Sequence, residues 1–279
     1  MWHLWMRVGL QEPTWWCPVP MTPPLTTLTS RTRRAWTLLV ALASAAVLTL
    51  TMAAPPASAR TDDLAGLWLL NEGRGQHAWD LSFSGNTGRL GSTPYADAQD
   101  PTWVSLPSWF LPRSALRFSG SQRVTVANAP SLEPDGITMV VRLRGTAGGD
   151  FRYVAAKGSL ACDAASYGMY TGANGGLQFY VSDGSDFTLS QDAGADLWDG
   201  RWHVVAGAYD GGRVRLWVDG REVGTPVPSD IAVRYGLPDG NDLLLGDYAG
   251  PCGSQLGFVG DIDAAAVVGS YAGNVSIGS

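Results

Sequence analysis

Short apolar segments, cut by turn-forming residues about every ten positions, set the fold class of this sequence. From residue 60 onward, no stretch keeps the apolar period of an amphipathic helix. Aspartate makes up 21 of the 24 acidic residues in this part of the chain, and aspartate and glycine favour turns whereas glutamate favours helices. We therefore expect one all-β domain in which about a dozen strands form two stacked antiparallel sheets.

Three pairs of neighbouring segments alternate apolar and polar residues around short turns, a pattern typical of β-hairpins. The clearest pair has Asp210-Gly-Gly between its two segments. The predicted hairpins join 114–118 to 123–127, 167–170 to 177–181, and 201–209 to 213–218.

The first 59 residues are predicted to be removed from the folded protein. Arginines at 31–34, an apolar run over 36–50 and the small residues that end at Ala59 form a secretory signal pattern. The alternative is an uncleaved membrane anchor. Residues 1–20 form a Trp-rich leader unlike a signal, so we expect translation to start at Met21 and the signal peptide to span 21–59. The protein is then secreted and free of the membrane.

The charge balance argues against nucleic acid as a partner. The whole sequence carries a formal charge of −6. Without residues 1–59 it has 15 basic against 24 acidic side chains, a charge of −9. An acidic protein of this kind binds nucleic acid and anionic membranes poorly.

Two cysteines remain once the leader is removed, Cys162 and Cys252. In an exported protein an even number of cysteines indicates a disulfide, and this one would link them. Two buried free thiols are the alternative.

The order of several motifs resembles bacterial laminin-G-like domains. The motifs are Gly-Leu-Trp-Leu-Leu-Asn-Glu-Gly at 66–73, Trp-Asp-Gly-Arg-Trp-His-Val-Val-Ala-Gly-Ala-Tyr-Asp-Gly at 198–211, Val-Arg-Leu-Trp-Val-Asp-Gly at 214–220 and Phe-Val-Gly-Asp-Ile-Asp at 258–263. The resemblance implies a concanavalin A-like jelly-roll sandwich over 60–268, followed by a tail at 269–279. The sequence departs from this family after Asp263, where small apolar residues replace the usual charged continuation.

Catalysis is disfavoured by the placement of the acids and histidines. Retaining glycosidases need two carboxylates close together, but Glu72, Glu133 and Glu222 are far apart in the sequence. His77 and His203 are isolated, and no Gly-x-Ser-x-Gly nucleophile motif occurs. We therefore expect no enzyme, with a divergent polysaccharide-cleaving enzyme as the weaker alternative.

Calcium is the candidate cofactor, because it prefers carboxylate and loop carbonyl oxygens. The first and last strands of similar domains pair, which would bring oxygen donors from both ends of the domain together. The predicted ligands are Glu72, Asp80, Asn86, Asp261 and Asp263. The alternative is that Asp80 caps an Asx turn and that Asp261 lies in a solvated turn.

Aromatic residues in loops are the candidate carbohydrate contacts, since flat rings stack on sugars. Residues 95–112 are proline-rich and predicted to be irregular. The predicted ligand-binding residues are Tyr95, Trp103, Trp109, Tyr170 and Tyr248. The alternative is that Trp103 and its neighbours close one end of the sandwich.

Together these observations predict a secreted, non-catalytic binding module for extracellular or cell-wall polysaccharide or a glycoconjugate. The alternative is an adhesion module that binds an extracellular protein.

Overall fold

A computed structural model describes residues 63–108, 112–146, 148–149, 151–161, 163–248 and 256–270. The predicted leader, the signal peptide, Trp109, Cys162, Cys252 and the tail beyond 270 lie outside the described residues. In the described part, the helical elements are two short 3-10 turns at Pro130–Leu132 and Ala195–Leu197. No helix there has the length and hydropathy needed to cross a bilayer. The prediction of an all-β chain is confirmed.

The described residues form seventeen strands. In chain order they are β1 (Leu64–Trp68), β2 (His77–Ala78), β3 (Gly88–Leu90), β4 (Thr102–Leu106), β5 (Arg113–Ser119), β6 (Val124–Val126), β7 (Ile137–Arg144), β8 (Tyr153–Ser159), β9 (Tyr167–Thr171), β10 (Leu177–Ser182), β11 (Phe187–Leu189), β12 (His203–Tyr209), β13 (Arg213–Val218), β14 (Arg221–Glu222), β15 (Val227–Pro228), β16 (Gly240–Leu245) and β17 (Val259–Val268).

These strands make two sheets. The nine-stranded sheet has the order β14-β13-β12-β7-β17-β5-β4, with β1 also paired to β17 and β15 to β13. The eight-stranded sheet has the order β11-β10-β9-β8-β16-β6-β3-β2. The inward faces of both sheets contribute to one apolar cluster that includes Trp68, Phe118, Tyr167, Phe179 and Phe258. The chain is therefore a two-sheet antiparallel jelly-roll sandwich, as predicted.

The long strand β17 organises the nine-stranded sheet. One of its edges pairs with β7, and the other pairs first with β5 and then with β1. The predicted pairing of first and last strands is thus confirmed. The strand continues past Asp263 to Val268 because Ala265 and Val267 pack into the core at alternate positions.

Two of the three predicted hairpins are confirmed, and one is wrong. Strands β9 and β10 pair, as do β12 and β13. Strands β5 and β6, however, lie in different sheets. The chain crosses between the layers at Gly120, which has φ +101°. Both strands point every second side chain, an apolar one, into the same core. This alternation is the same whether two strands form a hairpin or cross between sheets, so the sequence pattern could not separate the two.

A histidine at the start of the β12–β13 hairpin lies between two carboxylates and interacts with both. His203 Nδ1 lies 2.8 Å from Asp219 Oδ2, and Nε2 lies 3.0 Å from Asp199 Oδ1. Both ring nitrogens can donate only when the imidazole is protonated. Burial opposes protonation, but the hydrogen bonds and charges of Asp219 and Asp199 outweigh it and raise the pKa of His203 above 6.5.

This arrangement predicts a pH-dependent stability. A raised folded-state pKa stabilises the protein below the unfolded pKa, and that stability is lost as pH rises through the folded value. The melting temperature should fall by about 2 °C more between pH 6 and pH 8 in the native protein than in His203→Gln. The control His77→Gln should keep the native pH profile. Equal slopes for the native protein and His203→Gln would contradict the account.

Candidate functional site

One row of directly opposed residues crosses the outward face of the whole eight-stranded sheet. The four members Thr125, Leu244, Gly168 and Tyr180 are flanked on both sides by core residues, so their face of the sheet points away from the core, and the other members lie directly opposite in register. We call this set the outer row: His77, Arg89, Thr125, Leu244, Ala156, Gly168, Tyr180 and Leu189.

Loops cover one half of the outer row. Over Ala156, Gly168 and Tyr180 lies a second apolar cluster that includes Tyr153 and Tyr248. The Tyr153 ring centroid is 4.6 Å from that of Tyr248. A side chain at Gly168 would run into the Tyr180 ring, so this position keeps the cluster close to the sheet. This half of the face is a small second core, closed to ligands.

Tyr248 is a clamp for one of the covering loops. It is 4% exposed. Its hydroxyl accepts a hydrogen bond from Leu160 N at 2.8 Å and donates to the Asp163 carbonyl oxygen at 2.7 Å. A tyrosine with these contacts has no ring face left for a sugar.

The four described aromatic residues that were predicted to bind carbohydrate, Tyr95, Trp103, Tyr170 and Tyr248, are not gathered on one surface. Tyr170 lies half-buried beside Tyr153, with ring centroids 5.4 Å apart, in the same cluster as Tyr248. Trp103 lies on β4, an edge strand of the other sheet, so residues 95–112 are not wholly irregular as predicted. Its indole donates to the Gly75 carbonyl oxygen at 2.9 Å and packs on the core, which agrees with the alternative reading. Tyr95 is 79% exposed, in the loop that follows the groove residue Ser92.

The other half of the outer row is open and floors a groove of about 270 Å³. The groove lies over strands β3, β6, β16 and the end of β8. Its polar lining residues are Arg89, Ser92, Arg123, Thr125, Ser159, Asp239 and Asp242.

Several polar atoms of this lining have no hydrogen-bond partner in the part of the chain that the structure describes. They are Nε of Arg89, Nε of Arg123 and Oγ of Ser159, which is 1% exposed. Buried polar atoms are normally satisfied, so these three mark a polar floor that the protein leaves incompletely bonded. The Arg89 guanidinium is held by a bond from Nη2 to the Ser92 carbonyl oxygen at 2.8 Å.

The carboxylates around the groove are held in place. Asp239 Oδ2 accepts from Ala161 N at 2.6 Å, and Asp242 Oδ1 accepts from Asn128 N at 3.0 Å. Behind Arg123, Asp247 forms an ion pair with it at 3.5 Å. Burial raises the pKa of Asp247, although a backbone hydrogen bond and Arg123 act in the opposite direction.

Sequence reasoning missed these groove residues. The alternation around Arg89 and Thr125 marks both as outward positions of short strands. What it could not supply is that β3, β6, β16 and β8 are neighbours, because they are distant in the sequence.

The five predicted calcium ligands do not form one site. Within the described ranges, no three His, Cys, Asp or Glu side chains converge as a metal site. Asp80 instead accepts three backbone N–H groups, from Leu67 at 3.0 Å, Ser82 at 2.8 Å and Asn86 at 2.8 Å. These bonds lower the pKa of Asp80 although burial acts to raise it. The Asx-turn alternative therefore describes Asp80.

The remaining predicted ligands near Asp80 also have protein partners. The Asn86 amide nitrogen donates to the Ala65 carbonyl oxygen at 2.6 Å and to Ser131 Oγ at 2.8 Å. Glu72 Oε1 accepts from Trp79 N at 2.7 Å. The three residues thus hold a loop together.

Arginine side chains pair with Asp261 and Asp263, the two aspartates that were predicted to bind calcium. Asp261 accepts from Arg117 Nε at 2.8 Å and Arg144 Nη2 at 2.7 Å, both directly opposite it in register. Asp263 Oδ2 accepts from Arg113 at 3.0 Å and from Arg142. Neighbouring strands thus supply positive charge at both aspartates, and calcium binding by Asp261 and Asp263 stays a prediction that this pairing disfavours. Calcium binding elsewhere stays a prediction.

The two aspartates differ in their protonation equilibria. Burial acts to raise the pKa of both. At Asp261 the hydrogen bonds and charges of Arg117 and Arg144 outweigh burial and lower the pKa. At Asp263 burial prevails over Arg142 and Arg113 and raises it.

A comparison with known protein families assigns the chain to a superfamily. A laminin-G family model, described as the concanavalin A-like lectin/glucanases superfamily, matches residues 118–271, more than half of the sequence. The chain belongs to this superfamily. The resemblance seen in its motifs is therefore confirmed. A sequence search of curated proteins finds no match.

Solved structures share the superfamily fold at low identity. Domain 4 of an extracellular arabinanase of family GH43 from Geobacillus stearothermophilus, in complex with arabinotriose, is 12% identical with a TM-score of 0.52, over 74% of this chain and 92% of that one. A structure of botulinum neurotoxin type C, whose cell entry depends on interaction with two ganglioside molecules, is 10% identical with a TM-score of 0.52. That match covers 75% of this chain and 48%, about half, of the neurotoxin chain.

The arginine pairing predicts the effect of removing one carboxylate. Asp261→Asn should lower the free energy of unfolding in urea by about 2 kcal/mol, because two arginines lose a buried charged partner. The exposed Asp196→Asn is the control and should change it by less than about 0.5 kcal/mol. An Asp261→Asn variant as stable as the native protein would show that the arginines do not depend on this carboxylate.

Proposed function

We propose that this protein is a non-catalytic carbohydrate-binding module whose ligand lies in the groove on the open half of the eight-stranded sheet. The observation that carries the proposal is the groove of about 270 Å³ and its polar lining, which includes the side chains of Arg89, Arg123 and Ser159. Sugar hydroxyls both donate and accept hydrogen bonds, so one ligand can satisfy guanidinium donors and a serine hydroxyl together.

The charges of the groove favour a neutral glycan. Arg89 and Arg123 are balanced by Asp239 and Asp242 in the lining and by Asp247 behind Arg123. An anionic ligand would meet carboxylates as well as guanidinium groups, whereas a neutral polyol can bond to both kinds.

The carboxylates that the structure describes around the groove are each held by other protein groups, which is in keeping with a binding role. Retaining hydrolysis needs an acid free to protonate the leaving oxygen and a second carboxylate close by. Asp247 has the raised pKa that suits an acid, but Arg123 holds it in an ion pair. Asp239 and Asp242 each accept a backbone N–H and are exposed.

The solved structures that share the fold are in keeping with this proposal. The arabinanase domain is described in complex with arabinotriose, and the neurotoxin structure with an interaction with gangliosides. A polysaccharide or glycoconjugate outside the cell is the corresponding ligand class here. We further propose that the protein reaches it by secretion and begins at Arg60; the N-terminal residue of the exported protein checks this.

The groove can be tested with immobilised polysaccharides. In native affinity electrophoresis against arabinan, xylan, mannan, mixed-linkage β-glucan and a sialylated glycoconjugate, at least one should retard the protein. Arg89→Ala should weaken that binding about tenfold, which corresponds to about 1.4 kcal/mol for lost charged hydrogen bonds. The control Arg221→Ala, an exposed arginine on β14 of the other sheet, should bind as the native protein does.

Three results would contradict the proposal. Retention by none of the five glycans would favour the alternative of a protein partner. Equal binding by Arg89→Ala and the native protein would move the site elsewhere. Release of reducing sugar by the pure protein would make it an enzyme.

A further inference from the structure

An exposed aromatic stack stands at the edge of the eight-stranded sheet, next to the groove. The rings of His77 and Trp79 lie nearly parallel, with centroids 5.1 Å apart and an interplanar angle of 15°. Trp79 is 55% exposed, although tryptophan is usually highly buried. The structure therefore presents a flat indole surface to solvent.

The stack is continuous with the groove. His77 begins the outer row and lies directly opposite Arg89, which lines the groove. Trp79 is two residues beyond His77 along the chain, so both side chains lie on the same face of the edge strand. From β2 to β8 the row crosses four strand spacings, a distance of about 19 Å. One sugar ring cannot cover that distance, but a short oligosaccharide can.

The backbone beneath Trp79 is fixed before any ligand arrives. Trp79 N donates to Glu72 Oε1 at 2.7 Å. The next residue, Asp80, accepts the three backbone N–H groups described above and ties this segment to β1 and to Asn86. A preorganised aromatic surface loses little entropy on binding.

We propose that the Trp79–His77 stack is a sugar-stacking subsite that extends the groove, so that the protein binds a linear oligosaccharide across its sheet. The inference rests on the proposed function and deepens it. The apolar C–H face of a sugar ring lies on the indole, while the following rings meet Arg89, Thr125 and Ser159. The ligand class is a neutral linear glycan, and affinity rises with chain length until the stack is reached.

The same loop also exposes Leu81 at 46% and Phe83 at 99%. These side chains could suit an apolar protein partner. The parallel stack of Trp79 on His77 and its continuity with a polar groove favour a sugar ring, and the experiment separates the two.

The test compares oligosaccharides of two to six units, prepared from each polysaccharide of the five-glycan panel, by calorimetric titration. For the native protein, affinity should rise at least tenfold from the disaccharide to the hexasaccharide. Trp79→Ala should lose most of this rise and keep the disaccharide affinity, and Trp79→Phe should keep part of it. The matched control is Phe187→Ala, because Phe187 is 52% exposed on β11 at the opposite edge of the same sheet.

The outcomes are distinguishable. If Trp79→Ala shows the native length dependence, or if the native protein binds disaccharide and hexasaccharide equally, the subsite is wrong and the groove proposal stands. If the native protein binds none of the oligosaccharides, both proposals are wrong. Melting temperatures should match among the variants, since the contact of Trp79 with Glu72 is made by the main chain.

Discussion

The packing of tyrosine rings under loops on the eight-stranded sheet decides where this protein can act. Tyr153, Tyr180 and Tyr248 are buried there on the outward side of the sheet, where a sandwich would otherwise be exposed to water. Their cluster closes the half of the outer row that runs from Ala156 to Leu189. The other half stays open at histidine, arginine and threonine, beside the buried Leu244. A polar groove beside a rigid apolar wall is the direct result.

The outward face of the nine-stranded sheet is organised differently. Its central strand carries Asp261 and Asp263, and the strands on both sides supply the four arginines that pair with them. The guanidinium groups of Arg142 and Arg144 also lie 4.8 Å and 4.9 Å from the Trp202 ring centroid. These ion pairs give this face the character of a structural surface, although Oδ1 of Asp263 has no hydrogen-bond partner in the part of the chain that the structure describes.

The sequence predicted the fold far better than the site. The alternation of apolar and polar residues and the turn-forming residues were enough to predict two stacked sheets. This is because the sequence of each strand shows which of its side chains point inward. These patterns failed at 114–127, where a crossover at Gly120 has the same apolar period as a hairpin. They also could not show the ion pairs of Asp261, since the arginines that pair with it lie more than a hundred residues away in the chain. Tyr248 was predicted to contact ligand for its residue type, but only the fold shows that its hydroxyl clamps a loop.

The most direct test of this account is hydrogen–deuterium exchange of the whole protein with and without a polysaccharide of the panel that retards it. The account predicts slower exchange in peptides covering 77–92, 123–128 and 239–244, with no change over β12 and β13. Protection confined to the nine-stranded sheet, or exchange unchanged everywhere despite binding, would contradict a carbohydrate site on the open half of the outer row.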